Sequence, residues 1–572
     1  MANVKTNFKD FLIIFLLTFL SFTIFGLKPL DGNNVVYLPF MEKIQNYTLF
    51  PKDMLLESIS YHPSLFFNFV VKFSNTFNIS IKSILVFLPL AIGYFTALII
   101  FKLQLFLFKD KKSAYFLLVL LMSAKFSLAF EPISINMQQA TPTTFSIPFA
   151  ILAVYLYLKK KTFLSFFILG LIANIQPILA AQLGIVMFIG QTVYAYKNKC
   201  RLLKVVKKLF IQSGLVLLGS FPILLNLILN KGNFNFWLDT PGGWLNIIKI
   251  RTAHHFLAST WQFRTWLILS LYILLYIFSF KYKNAKLKLR TIDLKVLYLI
   301  LSFIPLIFIA YFFSEVIPFR LIMIMSLYRG FWLFNLLVLS YISLMIINMI
   351  KGKEIRYKIF GLFIFCLLFL PTNIWYSDSL LKASVIGITL FFSFTMSFIV
   401  ITNKKKSQSY TNKVLVVLLL MFLFISGLQR MYRNFLRWEK ISLDNSFKKD
   451  WINVQLWAYN NTKVNDLFLT PVNQTGFRVY SQRPIMGEYK DGANLIYHPK
   501  LLNEWWNRMQ EMGVDKSMTS GAYVEDLKML KNEQKIVEIA EKYKASFLVS
   551  SYNNLSLNKA YENSSFSIYR IK

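Results

Sequence analysis

The feature that most constrains this chain is a succession of apolar runs, each close to the roughly 20 residues that cross a bilayer as helix. Phe11 to Leu27, Ile84 to Phe108 and Val414 to Leu428 are examples. Lipid offers backbone amides no partners, so such runs must be helical. With 56% of its residues hydrophobic, 16% charged and a mean hydropathy of +0.50, the chain lies outside globular composition and reads as a polytopic membrane protein. Met1 to Leu27 has no small-residue cleavage site and many spans follow it, so it reads as the first anchor rather than a signal peptide.

A net charge of +36 would suit a nucleic-acid partner if it were continuous, but the Lys and Arg fall in short clusters between apolar runs. Such clusters mark the cytoplasmic ends of spans. They stand at Lys5 and Lys9, Lys109 to Lys112, Lys159 to Lys161, Lys197 to Lys208, Lys281 to Lys295, Lys351 to Lys358 and Lys404 to Lys413. Threading them through the apolar runs predicts about 13 transmembrane helices in a plasma or inner membrane, with the N-terminus cytoplasmic. Cys200 and Cys366 are the only cysteines, so no disulfide is expected on the outer face.

The fold class expected is therefore an all-α polytopic membrane domain over residues 1–428, followed by a small soluble extracytoplasmic α/β domain over 429–572. The membrane part carries an outer loop of about fifty residues, 28–80, with Asp31, Glu42, Asp53, Glu57 and His62. Its apolar piece Leu65 to Phe73 could lie along the membrane surface as an amphipathic helix. In the tail, helices are expected at Trp451 to Tyr459, Leu501 to Met512 and Tyr523 to Tyr543. Strands are expected at Leu467 to Val472, Phe477 to Ser481, Ser546 to Ser550 and Phe566 to Ile571.

Residues 1–428 hold twelve carboxylates, and the threading puts eight of them outside: Asp31, Glu42, Asp53, Glu57, Glu131, Asp239, Glu315 and Asp378. All four histidines, His62, His254, His255 and His498, fall on the same side. Acid or base chemistry, if the protein performs any, faces outward. Asp31 opens the first outer loop in Leu30-Asp31-Gly32-Asn33, where its plain alternative is a solvated turn residue. Glu131, beside Pro132, is a second catalytic candidate with a loop carboxylate as its alternative. Arg320 and Arg329 either bind substrate or snorkel to lipid headgroups. Adjacent histidines point in different directions, and no cysteine or close carboxylate completes a ligand set with His254 and His255. No metal site is expected, with a divalent ion kept as the alternative. Arg430, Arg433 and Arg437 are spaced for one helical face.

An aspartate just after the first span, an acidic second outer loop and a soluble outer tail resemble the GT-C superfamily of membrane glycosyltransferases. Gln139 to Leu158, Arg251-Thr252-Ala253-His254-His255 with Trp261, and Trp457 to Thr462 with Leu467 to Pro471, Gly476 to Arg478, Arg483-Pro484 and Lys490 are similar to an uncharacterised bacterial group of GT-C-like proteins. Two departures stand out: Asp31 lacks a paired acidic neighbour, and Lys463 replaces an expected proline. The resemblance implies transfer of a sugar from a polyprenyl-phosphate carrier to a glycan, lipid or protein acceptor on the outer face. Asp31 would be the general base. Arg251, His254, His255, Arg320 and Arg329 would hold the phosphate. A transporter or flippase of lipid-linked saccharide and an O-antigen polymerase or ligase are the competing functions. Spans nearly free of carboxylates argue against the first.

Overall fold

The computed structural model describes residues 6–123, 126–128, 131–133, 138–229, 242–261, 263–352, scattered positions between 354 and 368, 445–514, 532–551 and 555–571. The spans expected between 371 and 428, the boundary at 429, the Arg430 to Arg437 cluster, Asp239 and the side chain of Glu131 lie outside what is described.

The chain enters through α1 (Phe8–Phe25), which Asn7 and Asp10 start with a reciprocal capping box. The outer segment follows as α2 (Asn34–Gln45), α3 (Met54–Glu57) and α4 (Phe66–Phe77), before α5 (Ile81–Phe108) and α6 (Lys111–Ser123). A short antiparallel hairpin of β1 (Phe126–Leu128) and β2 (Glu131–Ile133) leads toward α7 (Pro142–Leu158), α8 (Thr162–Ile175) and α9 (Pro177–Lys197). Five helical stretches among the described residues are long and apolar enough to cross a membrane: Ile81–Phe108, Pro177–Lys197, Thr265–Leu287, Thr291–Val316 and Arg320–Lys351. Pro142–Leu158 and Thr162–Ile175 are shorter apolar helices. The protein is thus an integral membrane protein built mainly of helix.

The amphipathic helix anticipated in the first outer loop is α4. It buries Phe66, Phe67, Val70 and Val71 and leaves Phe69, Phe73 and Phe77 exposed. Asn78, at φ +50°, ends it in a left-handed cap. Some members of the basic clusters meet partners or one another. Lys111 pairs with Asp10 at 2.7 Å and Lys351 with Asp110 at 3.1 Å, while Lys160 and Lys208 both lie within electrostatic reach of Lys295.

Two helices cross without side chains between them. A Cβ on Gly170 of α8 would stand 2.4 Å from the Val216 carbonyl, and one on Gly219 would stand 2.6 Å from the Phe167 carbonyl. Asn174 seals this crossing, donating to the Gly219 carbonyl at 2.8 Å and accepting from the Ile223 amide at 3.0 Å. In lipid, small residues and buried amides are what let helices approach so closely.

The tail folds around a four-stranded sheet in the order β3 (Phe468–Leu469), β4 (Phe547–Ser550), β6 (Ser567–Arg570), β5 (Asn558–Glu562). β3 runs parallel to β4, and the other pairings are antiparallel. Helices Asn445–Asn461, Pro499–Glu511 and Glu533–Tyr543 cover it. One expected strand is corrected. Residues Arg478–Ser481 form a helical turn, because the Glu488 carboxylate takes the amides of Gly476 and Phe477 at 3.1 and 3.0 Å and bends the chain there. β5 was not anticipated from the sequence.

The tail does not keep a core to itself. Val36, Phe40, Met41 and Leu55 of the first outer loop are buried in one cluster with Trp244, Leu495, Trp505 and Leu548. At its centre is Arg478, 1% exposed, which donates to both oxygens of Asp53 at 2.8 and 3.0 Å and to both of Asp491 at 3.1 and 3.0 Å.

Glu42, on α2 beside the tail, is only 8% exposed. One of its oxygens is buried without a hydrogen bond and the other accepts from Gln482 at 3.4 Å. Burial pushes its carboxyl up to about 7, partly offset by Lys82. A carboxyl raised on folding contributes stability that is complete below the free value of 4.5 and is lost as pH climbs through about 7. Glu42→Gln should therefore leave thermal stability nearly unchanged at acidic pH and raise it by about 1–3 kcal/mol at pH 8–9. Melting curves of both proteins across that range check this, and a parallel pair of curves would refute it.

Candidate functional site

Gln176 ends α8 because Pro177 follows it. Proline has no amide to continue the ladder and drives the preceding residue out of helical conformation. At that break the Gln176 side chain donates to the Thr143 hydroxyl at 2.6 Å, tying the α8–α9 junction to the start of α7. The membrane stretch Arg320–Lys351 is broken too. Its helix Arg320–Ile324 stops, Ser326 adopts a left-handed conformation at φ +46°, and a tight turn Leu327–Gly330 precedes the long helix Phe331–Lys351. Such a conformation costs a residue other than glycine about 1–2 kcal/mol. Gln182 of α9 holds it, donating to the carbonyls of Met325 and Ser326 at 2.8 and 2.9 Å on either side of the break. The Ser326 hydroxyl donates to the His255 carbonyl at 3.1 Å. The consequence is that Arg329 points into a cavity instead of along a continuous helix.

That cavity measures about 420 Å³. Its walls come from Asn33, Tyr37 and His62 of the first outer loop, from Gln138, Gln139 and Thr141 ahead of α7 with Thr143 and Thr144 in its first turn, and from Gln176. Thr252, His255, Ser326 and Arg329 add a third wall, and Asn494, Ile496 and Tyr497 of the tail close it. It narrows downward past Thr143, Gln176, Gln182 and Arg329 to Trp332. Next to it, between α7 and α8, lies an apolar groove of about 360 Å³ lined by Phe145, Phe149, Leu152, Ile168, Leu171, Ile172 and Ile175. Phe145 follows Thr144 and Ile175 precedes Gln176, so the polar cavity and the apolar groove meet across the Gln176–Thr143 bond.

Three membrane-side residues fix the tail's wall. Arg320 is fully buried, lies over the Trp244 ring and donates to the Tyr497 carbonyl at 3.0 Å. Trp244 donates through its indole to the Ile496 carbonyl at 2.9 Å. Arg251 donates to the Tyr489 carbonyl at 3.1 Å and stacks on that ring at 4.6 Å. Neither Arg320 nor Arg329 reaches out to lipid headgroups, since both turn inward.

Of the residues singled out from sequence, His255 and Arg329 line the cavity, and Arg251 and Arg320 stand behind its tail wall. His254 is exposed, with its ring 4.0 Å from that of His255. Asp31 is exposed at the rim. One of its oxygens accepts from the Gly32 amide at 2.6 Å, and its charge faces Lys490, which Arg251 also approaches. Gly32, at φ +60°, lies so close to Gln139 that a Cβ would fall 2.0 Å from the amide nitrogen, so a larger residue would both strain the turn and push the Gln139 side chain aside. Gln139 in turn accepts from the Asn33 amide at 3.1 Å. Asp31 and the cavity are thereby one residue apart on a shared turn. Glu131 belongs to β2 on the stretch that leads to Gln138.

Burial lowers both His62 and His255 to about 4, helped at His255 by His254 and Arg251, so both rings are neutral at physiological pH. Burial raises Tyr37, with Arg329 opposing. Burial, then Arg251, lowers Lys490, with Asp31 opposing.

Sequence reading missed Tyr37, Asn494 and Tyr497 as wall residues. It gave Gln176 no role and placed His62 only among the outer-loop histidines. The proline was the available signal for Gln176; nothing local marks Tyr497, whose position depends on a tail docked across the loop.

Residues 449–512 match a family described as a domain of unknown function, DUF6798. No curated protein matches the chain. Among solved structures it is similar to ArnT from Cupriavidus metallidurans bound to undecaprenyl phosphate, at 11% identity and a TM-score of 0.46, covering 98% of this chain and 97% of that one. It is also similar to the arabinosyltransferase EmbB from Mycobacterium smegmatis, at 10% identity and a TM-score of 0.42, covering 76% of this chain and 41% of that one. Neither likeness says what this chain binds.

Proposed function

We propose that this protein is a GT-C-type membrane glycosyltransferase that moves a sugar from a polyprenyl-phosphate carrier onto a glycan, lipid or protein acceptor at the extracytoplasmic face. The observation that carries the reading is the placing of Arg329. Among the described residues Arg329 is the one charged side chain lining a cavity whose other walls mix amides, hydroxyls and neutral rings with apolar residues such as Ile147, Ile178, Phe256 and Ile324, and an apolar groove at the surface of α7 and α8 adjoins it. A ligand that fits has an anionic group between a polar head and a long apolar chain.

In the proposed step the acceptor hydroxyl gives its proton to the Asp31 carboxylate and its oxygen bonds to the anomeric carbon. The bond from that carbon to the phosphate oxygen breaks, and polyprenyl phosphate leaves with the added negative charge facing Arg329. Charge-assisted bonds from a guanidinium strengthen as that charge develops. Arg251 and Arg320 act on the tail's backbone, keeping the wall of Asn494 to Tyr497 in place. Asp31 at the rim is where an acceptor arriving from solvent would meet a base.

The test uses purified protein in lipid with radiolabelled polyprenyl-phosphate sugars and a membrane extract from its own cells as acceptor. Wild type should consume one donor, and Arg329→Ala should lower that rate about 10²- to 10³-fold. If wild type consumes none of the donors, the enzyme reading fails and transport of lipid-linked saccharide takes its place.

A further inference from the structure

Three of the residues that line the cavity each carry a buried polar atom without a hydrogen-bond partner, just beneath the cavity surface: Nδ1 of His62, Oγ1 of Thr252 and Nδ1 of His255. Buried polar atoms in folded proteins are nearly always paired, and an unpaired one calls for an explanation. Packing accounts for the rest of each ring. His62 is set edge-on against Phe67 and Tyr497, both at 5.1 Å, and His255 lies against His254. The three come from two separate parts of the chain and converge on one space, which is the arrangement expected of a binding surface.

The charge of that surface is equally specific. Among the described residues lining the cavity, Arg329 is the one formal charge and there is no carboxylate. Asp31 stands outside, facing Lys490. Among the described lining residues an ammonium group on the ligand would meet no anionic partner, and a carboxylate on the ligand would compete with its phosphate for Arg329. Hydroxyl groups, which both donate and accept, suit unprotonated imidazoles and a threonine hydroxyl.

From these observations we infer that the cavity selects an uncharged, hydroxyl-bearing glycosyl group, and that His62, Thr252 and His255 hydrogen-bond its hydroxyls. The inference rests on the proposed lipid-phosphate reading and adds the class of sugar.

The experiment measures binding of the full-length protein in lipid to four ligands of equal chain length: bare polyprenyl phosphate and the same lipid phosphate carrying a neutral hexose, an amino sugar or a uronic acid. The neutral-sugar conjugate should bind about tenfold or more tightly than bare lipid phosphate, and neither charged conjugate should show that gain. His62→Ala, Thr252→Val and His255→Ala should each remove part of the gain while leaving affinity for the bare lipid phosphate unchanged, which a folding defect would not do. His255→Asn, which keeps a hydrogen-bonding group, should recover more of it than His255→Ala. Equal binding of all three conjugates, preference for a charged one, or variants that keep the full gain would overturn the inference while leaving the lipid-phosphate reading intact. Bare lipid phosphate that does not bind, or that binds Arg329→Ala as well as wild type, would sink that reading and this inference with it.

Discussion

Replacing Arg478 by methionine is expected to cost about 3–5 kcal/mol of stability, the usual cost of removing one partner from a buried ion pair. The number follows from what remains. Arg478 lies between Asp53 of the outer loop and Asp491 of the tail with four short hydrogen bonds. Glu488 stands close enough to act on it electrostatically. With the guanidinium gone, three carboxyl groups face one another in a buried space. Burial and the neighbouring Asp491 already hold Glu488 well above the usual carboxylate range, and burial raises Asp491 as well. They would have to take up protons for the fold to survive. The Arg478→Met protein should accordingly recover part of its stability as pH falls, and Arg478→Lys should rescue little, because an ammonium cannot reproduce a planar fork on two carboxylates. The measurement is thermal unfolding in lipid at several pH values, with limited proteolysis between the outer loop and the tail. A melting temperature within a degree of wild type at neutral pH would show that the tail is held by its apolar contacts alone.

Asp31→Asn is expected to lower glycosyl transfer about 10²- to 10⁴-fold, the span of a lost general base, with folded yield and donor affinity unchanged. Donor affinity is the discriminating quantity. Asp31 is exposed and lies outside the cavity lining, so its loss should appear in kcat and not in binding of the lipid phosphate. The backbone argues that asparagine is tolerated. Asp31 caps its own turn by accepting from the Gly32 amide, and an asparagine oxygen can do the same. If Asp31→Asn keeps more than a tenth of wild-type turnover, Asp31 is the turn residue that its Asp-Gly context also explains.

The functional parts differ in how far they could be seen in advance. Apolar helical spans and the amphipathic helix α4 follow from local pattern: length and spacing each report a one-dimensional property of the chain. His255 and Arg329 were picked out through the resemblance as phosphate-holding candidates, and both line the cavity. Arg320 and Arg251 were picked out for the same reason, yet their bonds go to backbone carbonyls of the tail, more than 170 residues further on. Composition cannot distinguish a guanidinium that meets a ligand from one that meets a carbonyl. Phe477 to Ser481 reads as strand by propensity and is bent into a turn by Glu488, a contact eleven residues away that propensity does not include.

Apolar length was enough in the sequence alone to make this an integral membrane protein built mainly of helix, because a bilayer penalises unpaired amides wherever they occur along a chain. Tertiary structure alone decided that the first outer loop and the tail share a core, that a break held by Gln182 aims Arg329 inward, and that Tyr37 and Tyr497 face the same space. Those facts depend on pairings between residues far apart in sequence, and such pairings are set by the packing of whole elements, which no local pattern encodes.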